Sequence, residues 1–276
     1  MLKKGFKMNF LRGKNVIITG ASSGLGRHVA TILIKKYGCT VLGTGTRVEK
    51  LIDLKESLSD FGDKFLYYTF DVSKENGWID FAKHIEKLEV KFDILINNAG
   101  IMPKFEKAVN QSLDQTLKVL DTDFLSAVYS VKHVLPLLAD NKGLVNISSS
   151  SALCPVIGQA IYSASKSALK SFTEAMRAES DFYVGLIMPG FCKTEIFRSI
   201  DMAKKDKGLI DKIAQSPERC AKKIVRAIKN KRAKRIIGFD AHLMRLLYFL
   251  FPKNAPRIMG WFLRKSNLQI FSNLSK

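Results

Sequence analysis

Between residues 14 and 237, short β-branched runs alternate with longer amphipathic stretches, and this alternation narrows the possible folds more than any other feature. A strand buried on both faces reads as an apolar run, and a helix laid across it reads with a 3.6-residue period. The alternation therefore predicts repeated βα units on a parallel sheet. Strands are expected at 15–19, 40–44, 64–69, 93–97, 144–148, 183–188 and 235–238, and helices over 25–36, 48–59, 75–88, 113–139, 160–179 and 217–229. Right-handed crossovers then make a Rossmann-like, doubly wound α/β fold the economical topology, a seven-stranded parallel sheet with helices on both faces. Functional side chains are expected at the carboxyl ends of the strands. The 276 residues suit one such domain, read as 1–238, followed by a basic and apolar helical extension over 239–276.

Charge is spread unevenly. The chain carries 45 Lys and Arg against 25 Asp and Glu; from residue 201 onward the balance is 19 to 5, so +14 of the net +20 belongs to the C-terminal quarter. The four cysteines, Cys39, Cys154, Cys192 and Cys220, form no C-x-x-C or Cys/His cluster, which argues against a disulfide framework or zinc site and for a reducing, cytoplasmic setting. The basic N-terminus has no apolar core of a secretory signal, and nowhere do about 18 uncharged apolar residues run together as a membrane span requires. Positive charge attracts phosphate nonspecifically, but no helix-turn-helix, zinc or RNA-binding signature accompanies it, so no specific nucleic-acid partner is expected.

Directly after the first strand comes TGASSGLG, residues 19–26, leading into a helix. Gly20, Gly24 and Gly26 allow close backbone approach, and the free N–H groups with the positive end of the helix dipole form an anion site over Ser22, Ser23, Gly24 and Leu25. The second strand ends in GTGTR, which puts Arg47 where a reader of the NAD ribose would carry Asp or Glu. A guanidinium fork suits a 2′-phosphate, and Ser22 adds a hydroxyl, so the reading is NADP(H).

Further on, Ser148 to Ser151 follow the fifth strand, and YSASK spans Tyr162 to Lys166 at a helix start. The i, i+4 spacing puts Tyr162 and Lys166 on one helical face. A phenol titrates near pH ~10 and needs a fixed cation nearby to exchange protons near neutrality; a shift of ~2 units takes roughly 2.7 kcal/mol.

TGASSGLG (19–26), DVS (71–73), NNAG (97–100), ISSSS (147–151), YSASK (162–166) and MPGFCKT (188–194) stand in an order and spacing that closely resemble the short-chain dehydrogenases/reductases, over roughly residues 14–238. The resemblance implies that Tyr162 is the general acid in carbonyl reduction and the base in alcohol oxidation. It implies that Lys166 lowers the phenol pKa and bonds the nicotinamide ribose, and that Ser149 polarises the carbonyl, with Ser148 and Ser150 as competing choices. Asp71 and Val72 resemble the pair framing the adenine. Asn97 through Gly100, with Asn98 and Ala99, resemble the segment beside the adenosine ribose, and Pro189, Gly190 and Thr194 the nicotinamide-side loop. A homodimer or homotetramer through 113–139 and 160–179 is implied as well.

Two places depart from the family pattern: the serine segment continues as Ala152-Leu153 where a glycine is common, which shapes the pocket, and the second bears on the proton. TDFLSA places Asp123 where Asn usually holds a proton-relaying water. An ionised carboxylate only accepts hydrogen bonds. Asp123 is therefore expected to alter the relay or raise the phenol pKa, or else to pair with Lys166.

After a basic stretch from Ala221 to Arg235 without an acid come HLMRLLYFLF (242–251) and APRIMGWFLRK (255–265). These runs are too short to span a bilayer but suit helices in its surface, flanked by Arg245, Lys253, Arg257, Arg264 and Lys265. Covering the substrate pocket and making a homodimer contact are the other uses. The sequence as a whole reads as an NADP(H)-dependent oxidoreductase interconverting a carbonyl and a secondary alcohol on a lipophilic substrate such as a steroid, retinoid or long-chain 3-keto compound, with peripheral membrane contact. The alternative is a catalytically weak NADP-binding regulator or scaffold.

Overall fold

The computed structural model describes residues 10–193 and 214–265, and its seven parallel strands form one sheet in the order β3-β2-β1-β4-β5-β6-β7. They are β1 (Asn15–Ile18), β2 (Thr40–Gly45), β3 (Phe65–Thr69), β4 (Ile94–Asn97), β5 (Gly143–Ile147), β6 (Tyr183–Pro189) and β7 (Lys234–Ile237). The helices are α1 (Gly24–Tyr37), α2 (Val48–Glu56), α3 (Glu75–Lys87), α4 (Leu113–Leu120), α5 (Ser126–His133), α6 (Ala160–Glu179), α7 (Pro217–Lys229), α8 (Phe239–Leu250) and α9 (Ala255–Lys265). The order reverses between β1 and β4, and at such a switch point a crevice opens beyond the strand ends.

Alternate residues of each central strand serve opposite cores, which is why these strands read as unbroken apolar runs. Val16 and Ile18 of β1, Ile94 and Ile96 of β4, and Val145 of β5 pack with Leu33 of α1 and Ile224 of α7. Ile17, Leu95 and Leu144 from the same strands enter the other core with Trp78 and Phe81 of α3. Helix ends follow local chemistry. Gly38 closes α1 at φ 64°, the left-handed conformation a side chain resists. The Ser216 hydroxyl caps α7 by accepting from Arg219 N, and Pro217 occupies its first turn, where the N–H that proline lacks is not needed.

The helix expected over 113–139 is instead three pieces. Asp121–Leu125 is a π turn between α4 and α5, and a 3-10 turn, Leu135–Leu137, follows α5. A π turn adds one residue to the helical path without disturbing the apolar pattern on either side, so periodicity passes over it. Pro136 sits inside the 3-10 turn, where its missing N–H no longer interrupts a regular helix.

Candidate active site

A cavity of about 470 Å³ lies beyond the carboxyl ends of β1 to β6. At one end sits the glycine turn. Gly20 and Gly24 have φ of 69° and 54°, and a Cβ on Gly26 would come within 2.2 Å of the Gly20 carbonyl oxygen. Gly26 is thus the packing glycine behind the turn, while Gly20, Ser22, Ser23, Gly24 and Leu25 line the cavity. Ser23 stands at the N-cap of α1 in extended backbone but gives that helix no side-chain cap. Its Oγ accepts from Arg47 Nη2 at 2.8 Å. The helix therefore begins without a side-chain partner for its first N–H groups, beside a guanidinium.

The turn is held to β4 by a residue the sequence reading passed over. Thr19 Oγ1 accepts from the backbone N–H of both Asn98 (2.9 Å) and Ala99 (3.0 Å), and Asn98 Nδ2 donates to the Thr19 carbonyl. Asp71 and Val72 line the same wall; Asp71 Oδ1 accepts from Ser73 N, and the Val72 carbonyl accepts from Trp78 Nε1.

At the other end, α6 presents Tyr162 and Lys166, both buried and both lining the cavity. The Lys166 ammonium lies 5.7 Å from the Tyr162 ring centroid and 3.3 Å from Asp123 Oδ2, with the two charged side chains 4% and 0% exposed. The π turn carries Asp123 inward, behind the cavity wall, where its Oδ1 accepts from Ile101 N at 2.7 Å. A Cβ on Gly100 would stand 3.0 Å from Lys166 Nζ and 3.3 Å from Asp123 Oδ1, so glycine leaves this pair its space.

The three serines separate by partner. Ser148 Oγ donates to the Lys166 carbonyl and is committed to the scaffold. Ser149 begins the 3-10 turn Ser150–Ala152, accepts from Ser151 N, and lines the cavity together with Tyr162. Ser150 is buried in that turn.

Burial raises the Asp123 carboxyl above the usual carboxylate range; the Lys166 charge and the Ile101 N–H oppose that shift without cancelling it. Burial also pushes the Tyr162 phenol above its ordinary value, and the Asp123 carboxylate adds to this, while Ser149 pulls it down. The Lys166 charge is engaged by the Asp123 carboxylate beneath it, the pairing that was one of the options for Asp123.

Tyr162 also belongs to an apolar wall with Met102, Phe105 and Val156, against which Met244 of α8 and Ala255 of α9 pack. Asp240, in the first turn of α8, accepts from Phe191 N at 2.6 Å and so ties the loop of Pro189 and Gly190 to that helix. The sequence reading missed it; an acid in a helix's first turn is the only signal. Of the expected site residues, Gly26, Asn97 and Asp123 stand behind the lining, Asn97 donating to Ser130 and Asn146, and Thr194 lies outside the described residues. The others converge on the one crevice. Among the described residues no group of His, Cys, Asp or Glu could hold a metal ion.

The family model described as short chain dehydrogenase matches residues 14–205. "11-beta-hydroxysteroid dehydrogenase-like 2" of Arabidopsis thaliana is 33% identical over 220 residues, 78% of this chain and 70% of its own. "Ketoacyl reductase HetN" of Nostoc sp. is 29% identical over 269 residues, 92% of this chain and 91% of its own. A solved structure titled as the closed form of serine dehydrogenase complexed with NADP+ aligns with a TM-score of 0.71 at 25% identity, covering 81% of this chain and 94% of that one. A short chain dehydrogenase/reductase from Burkholderia phymatum in complex with NAD, at 21% identity and TM-score 0.76, covers 88% and 95% and matches in fold. Fold, ordered motifs and a family match over more than half the chain agree: this chain belongs to the short-chain dehydrogenase/reductase family.

Proposed function

We propose that the protein is an NADP(H)-dependent oxidoreductase that interconverts a carbonyl and a secondary alcohol on a lipophilic substrate. The observation that carries this is the meeting of Ser149, Tyr162 and Lys166 in the same crevice as the glycine turn and Arg47. The residues fit a dinucleotide. Gly20 has a cradle that a Cβ would fill, 3.0 Å from Ala99 Cα, and the uncapped start of α1 suits a pyrophosphate. When bound, a nicotinamide supplies the hydride.

The chain's own residues supply position and the proton. Tyr162 donates its phenolic proton to the carbonyl oxygen, and Ser149, next to it, donates a hydrogen bond to the same oxygen. A phenol held above its ordinary pKa carries its proton near neutrality but gives it up less readily, so the reaction asks bound substrate and cofactor to bring that pKa down. Lys166 holds the cofactor ribose, and Asp123 fixes the ammonium from beneath. Arg47, beside Ser23 at the end of β2, is placed to read a 2′-phosphate, with Glu49 the nearest following acid. Because the matched structures carry NADP+ in one case and NAD in another, the NADP(H) preference rests on Arg47. The wall of Met102, Phe105 and Val156 suits an apolar substrate such as a steroid, retinoid or long-chain 3-keto compound.

In this reading residues 1–238 are the catalytic unit and 239–276 a helical extension. Exposed Leu113 and Leu117 on α4 support association into a homodimer or homotetramer. A cytoplasmic setting with peripheral membrane contact completes the proposal; no helix among the described residues is long and apolar enough to cross a membrane. Mixing the protein with NADPH or NADH and a panel of hydrophobic ketones tests it: turnover is expected, faster with NADPH. Absence of turnover with every ketone contradicts it.

A second reading is favoured by the Asp123–Lys166 pair, which engages the ammonium that would otherwise act on the phenol. It is a catalytically weak NADP-binding regulator or scaffold. Tight NADPH binding without any turnover selects it.

A further inference from the structure

The two helices after the sheet have unlike faces. Inward, Met244 and Ala255, with Leu247, Met259 and Leu263, pack into the cluster that contains Tyr162. Outward, nothing among the described residues covers them. Nine of the fifteen exposed large hydrophobic side chains among the described residues lie between 239 and 262. Phe239 is 84% exposed, Phe249 80% and Phe262 58%, values that belong to a patch rather than to scattered surface residues.

Its rim has one sign of charge. Arg245, Lys253, Arg257, Arg264 and Lys265 are all exposed, and the sole acid from 239 to 265, Asp240, is bonded to Phe191 N. Lys265 Nζ sits 4.3 Å from the Trp261 ring centroid, and a surface groove of about 480 Å³ runs between Asn254, Arg257, Ile258, Trp261 and Phe262. Aromatic and apolar side chains among cations, on helices too short to cross a bilayer, match what lies in the headgroup layer of an anionic membrane.

We infer that the outer face of α8 and α9 is a docking surface for an anionic lipid bilayer. A second copy of the chain is the poorer occupant, because a two-fold contact through this face would bring its cations against the same cations of the partner. Where the substrate is lipophilic, as the proposed function has it, docking sets the inner wall of the crevice next to the phase that dissolves the substrate.

Flotation of the full chain with vesicles of phosphatidylcholine alone, or with added phosphatidylserine, tests the surface without using turnover, so it fails or succeeds separately from the redox reading. The chain is expected to float with the anionic vesicles and to be released by salt. Arg257→Glu with Arg264→Glu is expected to weaken partitioning about tenfold or more. Phe249→Ser with Trp261→Ser is expected to abolish it while NADPH binding and the melting temperature stay as in wild type. Wild type that floats with neither vesicle overturns the inference. So do variants that float as well as wild type, or an aromatic variant that loses a dimer in sedimentation yet still binds vesicles.

Discussion

The two ends of the crevice are built by different physics. The proposed adenosine end is built largely from backbone: glycines in left-handed conformations, an uncapped helix start, and beside them Arg47 in partial contact with solvent. The proposed catalytic end is built from buried charge: Lys166 and Asp123 at 4% and 0% exposure, beneath a buried phenol. Backbone recognition tolerates solvent because its donors are fixed by the fold. Buried charge gains strength from exclusion of water but leaves each partner costly to remove.

The contrast predicts unequal responses. The largest belongs to Tyr162→Phe, which removes the proton donor; kcat is expected to fall by about 10³-fold while NADPH binding by fluorescence is unchanged. Weakened NADPH binding would instead place the phenol at the adenosine end's kind of task. Next is Arg47→Glu, expected to lower the preference for NADPH over NADH about 100-fold through loss of charge-assisted hydrogen bonds, read as the ratio of kcat/KM values. An unchanged ratio assigns the 2′-phosphate to other residues.

Gly26→Ala follows. A Cβ there meets backbone at 2.2 Å, which cannot yield as a side chain would, so denaturant melts should show a loss of about 2 kcal/mol together with weaker cofactor binding. The smallest effect is the most diagnostic. Asp123→Asn removes the carboxylate that, after burial, helps to hold the phenol high, so the phenol pKa falls and the alkaline limb of the reduction rate moves to lower pH. Stability carries a second signature. A carboxyl raised by burial binds its proton more tightly folded than unfolded, so wild-type stability drops as pH rises from the ordinary carboxylate value through the raised one. The Asn variant should lack that slope, and a slope that persists assigns it to another group.

The motifs at both ends were readable in the sequence because each needs particular residues at fixed spacing. Glycines after a strand, Arg47 at the next strand end and YSASK on a helix each announce their geometry, and the apolar runs of β1, β4 and β5 follow from burial on both faces. Strand bounds moved by a residue, as with β5, expected at 144–148 and found at Gly143–Ile147. What escaped was tertiary. The π turn changes the path of the chain without changing the apolar period, so Asp123 was noticed as a substitution but its burial against Lys166 was one option among several. Thr19 and Asp240 act through contacts with residues 79 and 49 positions away, a distance at which local pattern carries no information. The split of α8 and α9 into an inner and an outer face likewise depends on what they pack against.

The convergence of phenol, ammonium and hydride donor is tested most directly by isotope transfer. The protein would be supplied with NADPH deuterated at C4 of the nicotinamide and a hydrophobic ketone, and the product examined by mass spectrometry. One deuterium on the carbinol carbon, formed at least a hundredfold faster by wild type than by Tyr162→Phe, is the expected result. Alcohol without deuterium, or equal rates for the two proteins, contradicts it.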